Sequence, residues 1–154
     1  MKIDFLINHP EKVREVSQMV FDEFVVGTNS TMNFEDVLSY FSNTKEDTFP
    51  ITLIALENGI CLGTVSIFEN DLKVREMYKP WLASLYTKPV YRGKGIGEKL
   101  INKTIDVVRG LGFNELYLRT EDAADYYKDR GWVYVESLSD DTYEKIDVFK
   151  MSCK

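Results

Sequence analysis

Tyr91-Arg-Gly-Lys-Gly-Ile-Gly-Glu-Lys-Leu100 follows directly on an apolar extended run and leads directly into a helical pattern. Gly93, Gly95 and Gly97 tolerate backbone conformations that a Cβ obstructs. The N–H groups of Arg92, Gly93, Lys94, Gly95, Ile96 and Gly97 can therefore converge on one concavity at the positive end of the following helix, which suits phosphate or pyrophosphate. A P-loop needs a Gly-Lys-Ser/Thr ending, and Gly97 is followed by Glu98, Lys99 and Leu100, so the magnesium-binding hydroxyl is missing. The dinucleotide pattern G-x-G-x-x-G fails as well, because its third glycine would fall on Glu98 or on Leu100. Arg-x-x-Gly-x-Gly fits, on Arg92, Gly95 and Gly97.

Working outward, Trp81-Leu-Ala-Ser-Leu-Tyr-Thr87 reads as a strand that runs into Pro89. Ile96, Leu100, Ile101, Ile105, Val107, Val108 and Leu111 recur at helical spacing until Gly110 and Gly112 end the helix. A strand over 114–119 and a short helix from Glu121 to Arg130, stopped by Gly131, form a second unit. The first unit resembles the pyrophosphate loop of the GNAT superfamily of acyl-coenzyme A N-acyltransferases, written Gln/Arg-x-x-Gly-x-Gly/Ala. The second resembles that family's other signature, Ala-x-x-(aromatic)-Tyr-x-x-x-Gly-(aromatic), on Ala123, Tyr126, Tyr127, Gly131 and Trp132. Both motifs stand in the family's order and at suitable separation.

The rest of the chain is expected to form one α+β domain over 1–154, in the order β-αα-βββ-α-β-α-ββ, with a mixed, mostly antiparallel sheet and helices on both faces. No low-complexity segment, repeat or linker divides it. Residues 2–7 read as an edge strand, and Asn8 or His9 as a helix cap before Pro10. Val13, Val16, Val20, Phe21 and Phe24 make a buried stripe on the first helix, and a second helix starts after Asn33. Residues 51–57 and 60–68 are strands joined by the hairpin turn Asn58-Gly59. Glu69 to Lys79 is polar and reads as an exposed excursion. Residues 132–137 and 142–151 read as a closing hairpin around Ser139-Asp140-Asp141.

At 154 residues the chain is long enough to bury about two-thirds of its unfolded surface without a metal or disulfide staple. A net charge of −6 argues against a nucleic-acid partner and mildly favours a cationic substrate. Cys61 and Cys153 lack ligand or redox spacing, so free thiols are expected, and the lone His9 cannot assemble a metal site. The apolar stretch at the amino terminus is broken by Asp4, so neither a signal peptide nor a membrane span is expected, and the location implied is cytoplasmic.

The resemblance implies acetyl-coenzyme A as co-substrate, no metal, and direct acyl transfer to a primary amine within a ternary complex. In the family, pantetheine pairs with the end of the fourth strand, which falls here on the backbones of Leu85, Tyr86 and Thr87, with a main-chain N–H facing the thioester oxygen. Tyr127 matches the tyrosine that protonates the departing thiolate, and Tyr126 is then assigned to the core. Thr120 stands where the family often has an asparagine that contacts pantetheine, and offers a shorter hydroxyl. Glu69 and Asp71 are candidates for deprotonating or binding the ammonium; the alternative is that Glu69-Asn-Asp71 is a solvated turn. Trp81 and Tyr86 wall an acceptor pocket or fill the sheet. The acceptor implied is a small amine such as a polyamine, an aminoglycoside or an amino-acid derivative. The alternatives are a protein lysine or N-terminus, and a non-catalytic coenzyme A sensor or interaction module. Oligomeric state stays open, homodimers being common in the family.

Overall fold

The computed structural model describes residues 1–28, 30–139 and 145–154. Its elements follow the expected order: β1 (Lys2–Phe5), α1 (Val13–Val20), α2 (Phe34–Ser42), β2 (Ile51–Glu57), β3 (Ile60–Phe68), β4 (Trp81–Thr87), α3 (Ile96–Gly110), β5 (Glu115–Thr120), α4 (Ala124–Lys128), β6 (Val133–Leu138) and β7 (Ile146–Ser152). The strands form one sheet in the order β1-β2-β3-β4-β5-β7-β6. All neighbours are antiparallel except β4 and β5. The fold is therefore α+β with a mostly antiparallel open sheet.

Local sequence accounts for most of this. Asn58 and Gly59 both take positive φ, 52° and 77°, as a two-residue hairpin turn between right-twisted strands requires. Asn33 and Asp36 form a reciprocal capping box that starts α2. Along α3, Ile96, Leu100, Ile101 and Val108 are buried against Leu53, Val65, Leu82 and Leu116 of the sheet, while Glu98, Lys99 and Asn102 stay exposed. The opposite face carries α1 and α2, where Val16, Val20, Val37 and Phe41 cover Ile54, Leu56 and Cys61.

Two expectations are corrected and one is refined. Glu69 to Lys79 is largely an exposed excursion, as expected, but it is anchored at two points: Leu72 is only 5% exposed, and the Tyr78 ring stacks on Tyr117 with centroids 4.7 Å apart. The polar groups of this segment are spent on partners far along the chain: Arg75 and Tyr78 both hold the Glu136 carboxylate of β6. Phe24 leaves the buried stripe and is 38% exposed, because after Val20 the helix widens into a π turn over Phe21–Val25, which rotates later side chains off the apolar face. The last helix is shorter than expected. The Thr120 hydroxyl accepts the Ala123 N–H at 2.9 Å before the helix begins, and Gly131, at φ 87°, ends the segment. The closing hairpin is present as β6 and β7, with β7 starting at Ile146; the expected turn at Asp140 and Asp141 and the strand start at Thr142 lie outside the described residues.

Candidate functional site

The site begins with two irregularities in β4. Against β3, Ala83 pairs with Ser66 and Tyr86 with Thr64, so Ser84 and Leu85 together oppose Val65. That is a β-bulge, and Ser84 carries its cost in a left-handed φ of 54°. Against β5, pairing among the described residues is confined to Trp81 and Tyr117. Beyond that rung the two parallel strands part, which leaves one edge of Ser84 to Thr87 without a strand partner.

The glycine turn follows. Pro89–Tyr91 makes a single 3-10 turn, and the Arg92 side chain turns back to donate from Nε to the Thr87 carbonyl at 2.8 Å. Arg92 also stands over the Tyr86 ring, 5.4 Å from its centroid, so its cation is engaged in pinning the strand end. Gly95 caps α3 in the left-handed region at φ 79°, and the helix ladder starts with Lys99 N–H to the Gly95 carbonyl at 3.1 Å. The N–H groups of Ile96, Gly97 and Glu98 precede that first bond and are free of helical partners. Ile96 is buried beneath them and anchors the turn.

These features share one cleft of about 840 Å³, lined by Leu85, Tyr86 and Thr87 of β4, by Arg92, Gly93, Gly95, Ile96 and Gly97 of the turn, and by Ala123, Tyr126 and Arg130. Glu23 lines the same cleft from the π turn after α1. Since α1 and α3 lie on opposite faces of the sheet, a cleft that touches both Glu23 and Tyr126 passes around the free end of β4. A second hollow of about 630 Å³, between α1 and β4, shares Tyr86 with it. Of the expected turn residues, Lys94 is exposed and does not line the cleft.

Tyr126 and Tyr127 divide differently from expectation. Tyr126 packs against the core, as expected, but it also lines the cleft, with the Arg130 guanidinium carbon 3.5 Å from its ring centroid. Adjacent helical positions point about 100° apart, and Tyr127 takes the inner direction, its ring packed against Tyr126, Trp132 and Phe149. Burial, with smaller contributions from Tyr126, Asp122 and Glu121, pushes the Tyr127 phenol up to about 12, so it keeps its proton at neutral pH. Thr120 is buried, and its hydroxyl serves the Ala123 N–H.

Glu69 and Asp71 do not line the cleft. Glu69 is exposed and pairs with Lys79 at 3.7 Å. Asp71 lies on the face away from α3, where Arg119 of β5 donates to its main-chain oxygen at 3.2 Å and to Glu121 at 3.2 Å. Burial pushes the Asp71 carboxyl up to about 7, with Arg119 opposing and Glu121 reinforcing the shift. Trp81 is fully buried and fills the sheet, whereas Tyr86 walls the cleft. His9 is tied to Asp4 at 2.8 Å. Both cysteines are free and buried, and burial lifts the Cys61 thiol to about 11. Sequence reasoning missed Glu23, Glu98 and Arg130 in the cleft wall; only the helical spacing of Ala123, Tyr126 and Arg130 hinted at a shared face. Among the described residues no cluster of His, Cys, Asp and Glu side chains could hold a metal ion, and no helix is long and apolar enough to cross a membrane.

The fold has close counterparts among solved structures. One is an aminoglycoside 6'-N-acetyltransferase complexed with coenzyme A, at TM-score 0.77 and 16% identity, covering 100% of this chain and 98% of that one. Another is the Salmonella typhimurium acetyltransferase yncA with acetyl-CoA, at TM-score 0.72 and 18% identity, covering 100% and 94%. At such identities the likeness is one of fold. In sequence, the chain is 42% identical over 55 residues to a thialysine N-epsilon-acetyltransferase of Bos taurus, a match spanning 33% of this chain and only 32% of that relative. A family model described as Acetyltransferase (GNAT) family matches residues 14–132, from the start of α1 through the cleft to the residue before β6, and by that match the chain belongs to the GNAT acetyltransferase family.

Proposed function

We propose that the protein is an acetyl-coenzyme A-dependent N-acetyltransferase acting on a primary amine of a small molecule, by direct attack in a ternary complex. The observation that carries this reading is the junction of the glycine turn and the parted edge of β4 in a single cleft that reaches both faces of the sheet. The fit to the donor is physical. N–H groups at the start of α3 face the cleft beside Gly95, and a Cβ on Gly97 would stand 3.4 Å from the Tyr126 hydroxyl, in space that a close-lying pyrophosphate would use. The solved counterparts named for acetyl-CoA and coenzyme A, which share the fold, support the same donor.

The donor supplies an activated acyl thioester; the chain's residues bind, orient and manage protons. Arg92, Gly93, Gly95, Ile96 and Gly97 form the phosphate cradle, with Lys94 at the turn outside the cleft lining. The unpaired main-chain edge at Leu85, Tyr86 and Thr87 holds the extended arm of the donor, and an N–H at the bulge faces the carbonyl to be attacked. Tyr127 lies behind Tyr126, outside the cleft lining and with ring centroids 5.1 Å apart; its raised pKa keeps the phenol neutral, and it is assigned as the proton donor to the departing sulfur. Thr120 supports this wall by holding the start of α4. Of the two carboxylate candidates, Asp71 is the stronger proton acceptor. It stands outside the cleft lining, with Arg119 of β5 on its main-chain oxygen, and burial pushes its carboxyl up to about 7, whereas Glu69 is exposed and ion-paired. Cys61 and Cys153 have no role as nucleophiles, both being buried with raised pKa values.

A small cationic acceptor is supported by the Glu23 carboxylate in the cleft wall, by the net charge of −6, and by similarity to a relative named for acetylating thialysine. The test is calorimetric titration with acetyl-coenzyme A and, separately, with ATP and magnesium, followed by a screen of amines for thiol release. Binding of acetyl-coenzyme A with amine-dependent thiol release is the expected result. Absence of acetyl-coenzyme A binding overturns the reading, and binding without any thiol release favours a coenzyme A sensor.

A further inference from the structure

Among the described residues lining the cleft, the cations are Arg92 and Arg130 and the carboxylates are Glu23 and Glu98, so the wall is charge-balanced in a cleft read as receiving a polyanion. Arg92 is committed to the Thr87 carbonyl and the Tyr86 ring. Arg130 is held differently. Its Nε lies 3.2 Å from Oε1 of Glu98, in the first turn of α3, and its Nη1 donates to the Tyr126 carbonyl at 3.0 Å. The guanidinium carbon stands 3.5 Å from the centroid of the Tyr126 ring, and Nη2 takes part in neither of these two contacts.

Glu98 lies in the first turn of α3 and lines the cleft with Gly95, Ile96 and Gly97, the turn that would receive pyrophosphate. A carboxylate there gains from the helix's positive end and occupies, electrostatically, the place of the anion. Its side chain is 56% exposed, and an ion pair in such a setting contributes little and exchanges readily. A guanidinium binds phosphate through planar, charge-assisted and often bidentate hydrogen bonds, and a pyrophosphate offers it more charge than a single carboxylate.

Resting on the reading of the cleft as a coenzyme A site, we propose that Arg130 is an exchangeable pyrophosphate ligand, latched to Glu98 when the cleft is empty and transferred to the donor's phosphates on binding. Glu98 is then a competitor of the ligand and the Tyr126 ring is the platform on which the guanidinium turns. Arg130 then favours donors that carry phosphate over bare pantetheine thioesters, and the latch to Glu98 reduces that preference.

The test is a double-mutant cycle read by calorimetric affinity at low salt, with acetyl-coenzyme A and with S-acetylpantetheine, which has no phosphate. Arg130→Ala should weaken acetyl-coenzyme A binding by about tenfold or more, and Arg130→Lys should recover part of it. Glu98→Gln should tighten binding by a few-fold, and that gain should vanish in the Arg130→Ala background. Affinity for S-acetylpantetheine should move in none of these variants. A gain from Glu98→Gln that persists without Arg130 means simple repulsion by Glu98 and overturns the latch. Weaker binding on Glu98→Gln, or equal losses with both ligands, overturns it as well. Failure of the unmutated chain to bind acetyl-coenzyme A at all would instead overturn the coenzyme A reading on which the latch depends. Unchanged melting temperatures in the single variants keep the comparison free of folding effects.

Discussion

Gly63 lies so close beneath Tyr86 that a Cβ built on it would stand 2.6 Å from the Tyr86 carbonyl oxygen and 3.2 Å from the Thr87 Cα. Both contacts are with backbone, so no side-chain movement relieves them. β3 thus offers β4 a seat with no side chain, opposite the strand end that walls the cleft and just past the bulge at Ser84 and Leu85.

Gly63→Ala should therefore cost about 1–3 kcal/mol of stability through overpacking, and should also disturb the cleft. Urea unfolding measures the first and acetyl-coenzyme A affinity the second. An alanine variant with wild-type midpoint and affinity would show that β4 can shift freely, contrary to this account.

Gly95 sets the start of α3 at φ 79° with nothing near its missing Cβ, so its substitutions separate strain from obstruction. Gly95→Ala should lose about 1 kcal/mol from left-handed strain while keeping much of its donor affinity. Gly95→Glu adds a carboxylate to the turn and should abolish measurable acetyl-coenzyme A binding.

Tyr127→Phe should lower kcat by about 10²-fold with donor affinity nearly unchanged, because it removes a proton donor and retains the ring packed on Trp132 and Phe149. Tyr126→Ala should instead raise the KM for donor, since that ring lines the cleft and carries Arg130. Steady-state kinetics on the two variants distinguish the roles; the reverse pattern would exchange them.

Asp71→Asn should lower kcat by about 10²-fold or more and remove an acidic limb of kcat/KM near pH 7, since the ionised carboxylate is the form that accepts a proton. Its effect on stability has the opposite sign. The folded carboxyl titrates at about 7 and the ordinary value is 3.8, so the fold holds this proton more tightly than the unfolded chain does. Its penalty on folding is absent below the ordinary value, grows as pH rises towards 7, and then levels off. The asparagine variant should melt higher than the parent at pH 8 and close to it at pH 4. The main-chain oxygen that receives Arg119 is untouched by the change, which keeps the loop in place.

Where local rules act, the sequence was readable. The spacing of Ile96, Leu100, Ile101 and Val108, the Asn58-Gly59 turn and the strand from Trp81 to Thr87 all appear in the structure as expected. The bulge was not readable, because Ala83-Ser-Leu-Tyr86 contains no glycine or proline to mark it, and its cause lies across the sheet in the register with Thr64 and Ser66. The anchoring of the exposed segment over 69–79 was not readable for a related reason. Its polarity suggests solvent, but Tyr78 and Arg75 find partners in Tyr117 and Glu136, far away in sequence. Neither identity nor spacing distinguishes Tyr126 from Tyr127; the contact of Arg130 with Glu98 on another helix places Tyr126 outward. Glu23 was hidden because a π turn re-aimed its residue pair, which a pattern of ordinary helical period does not foresee.

The single rung between Trp81 and Tyr117 makes the sheet two half-sheets, β1 to β4 and β5 to β6, tied together on one face by α3, whose apolar residues contact both. The seam between them is the weakest line of main-chain bonding in the molecule's centre, and amide protons along it should exchange through openings that leave each half intact. A ligand lying along the open edge of β4 would supply the missing rungs as an added strand. Occupancy would then be felt as slower exchange on both sides of the seam at once, and the substrate would serve, for as long as it stays, as a structural member of the sheet that it enters.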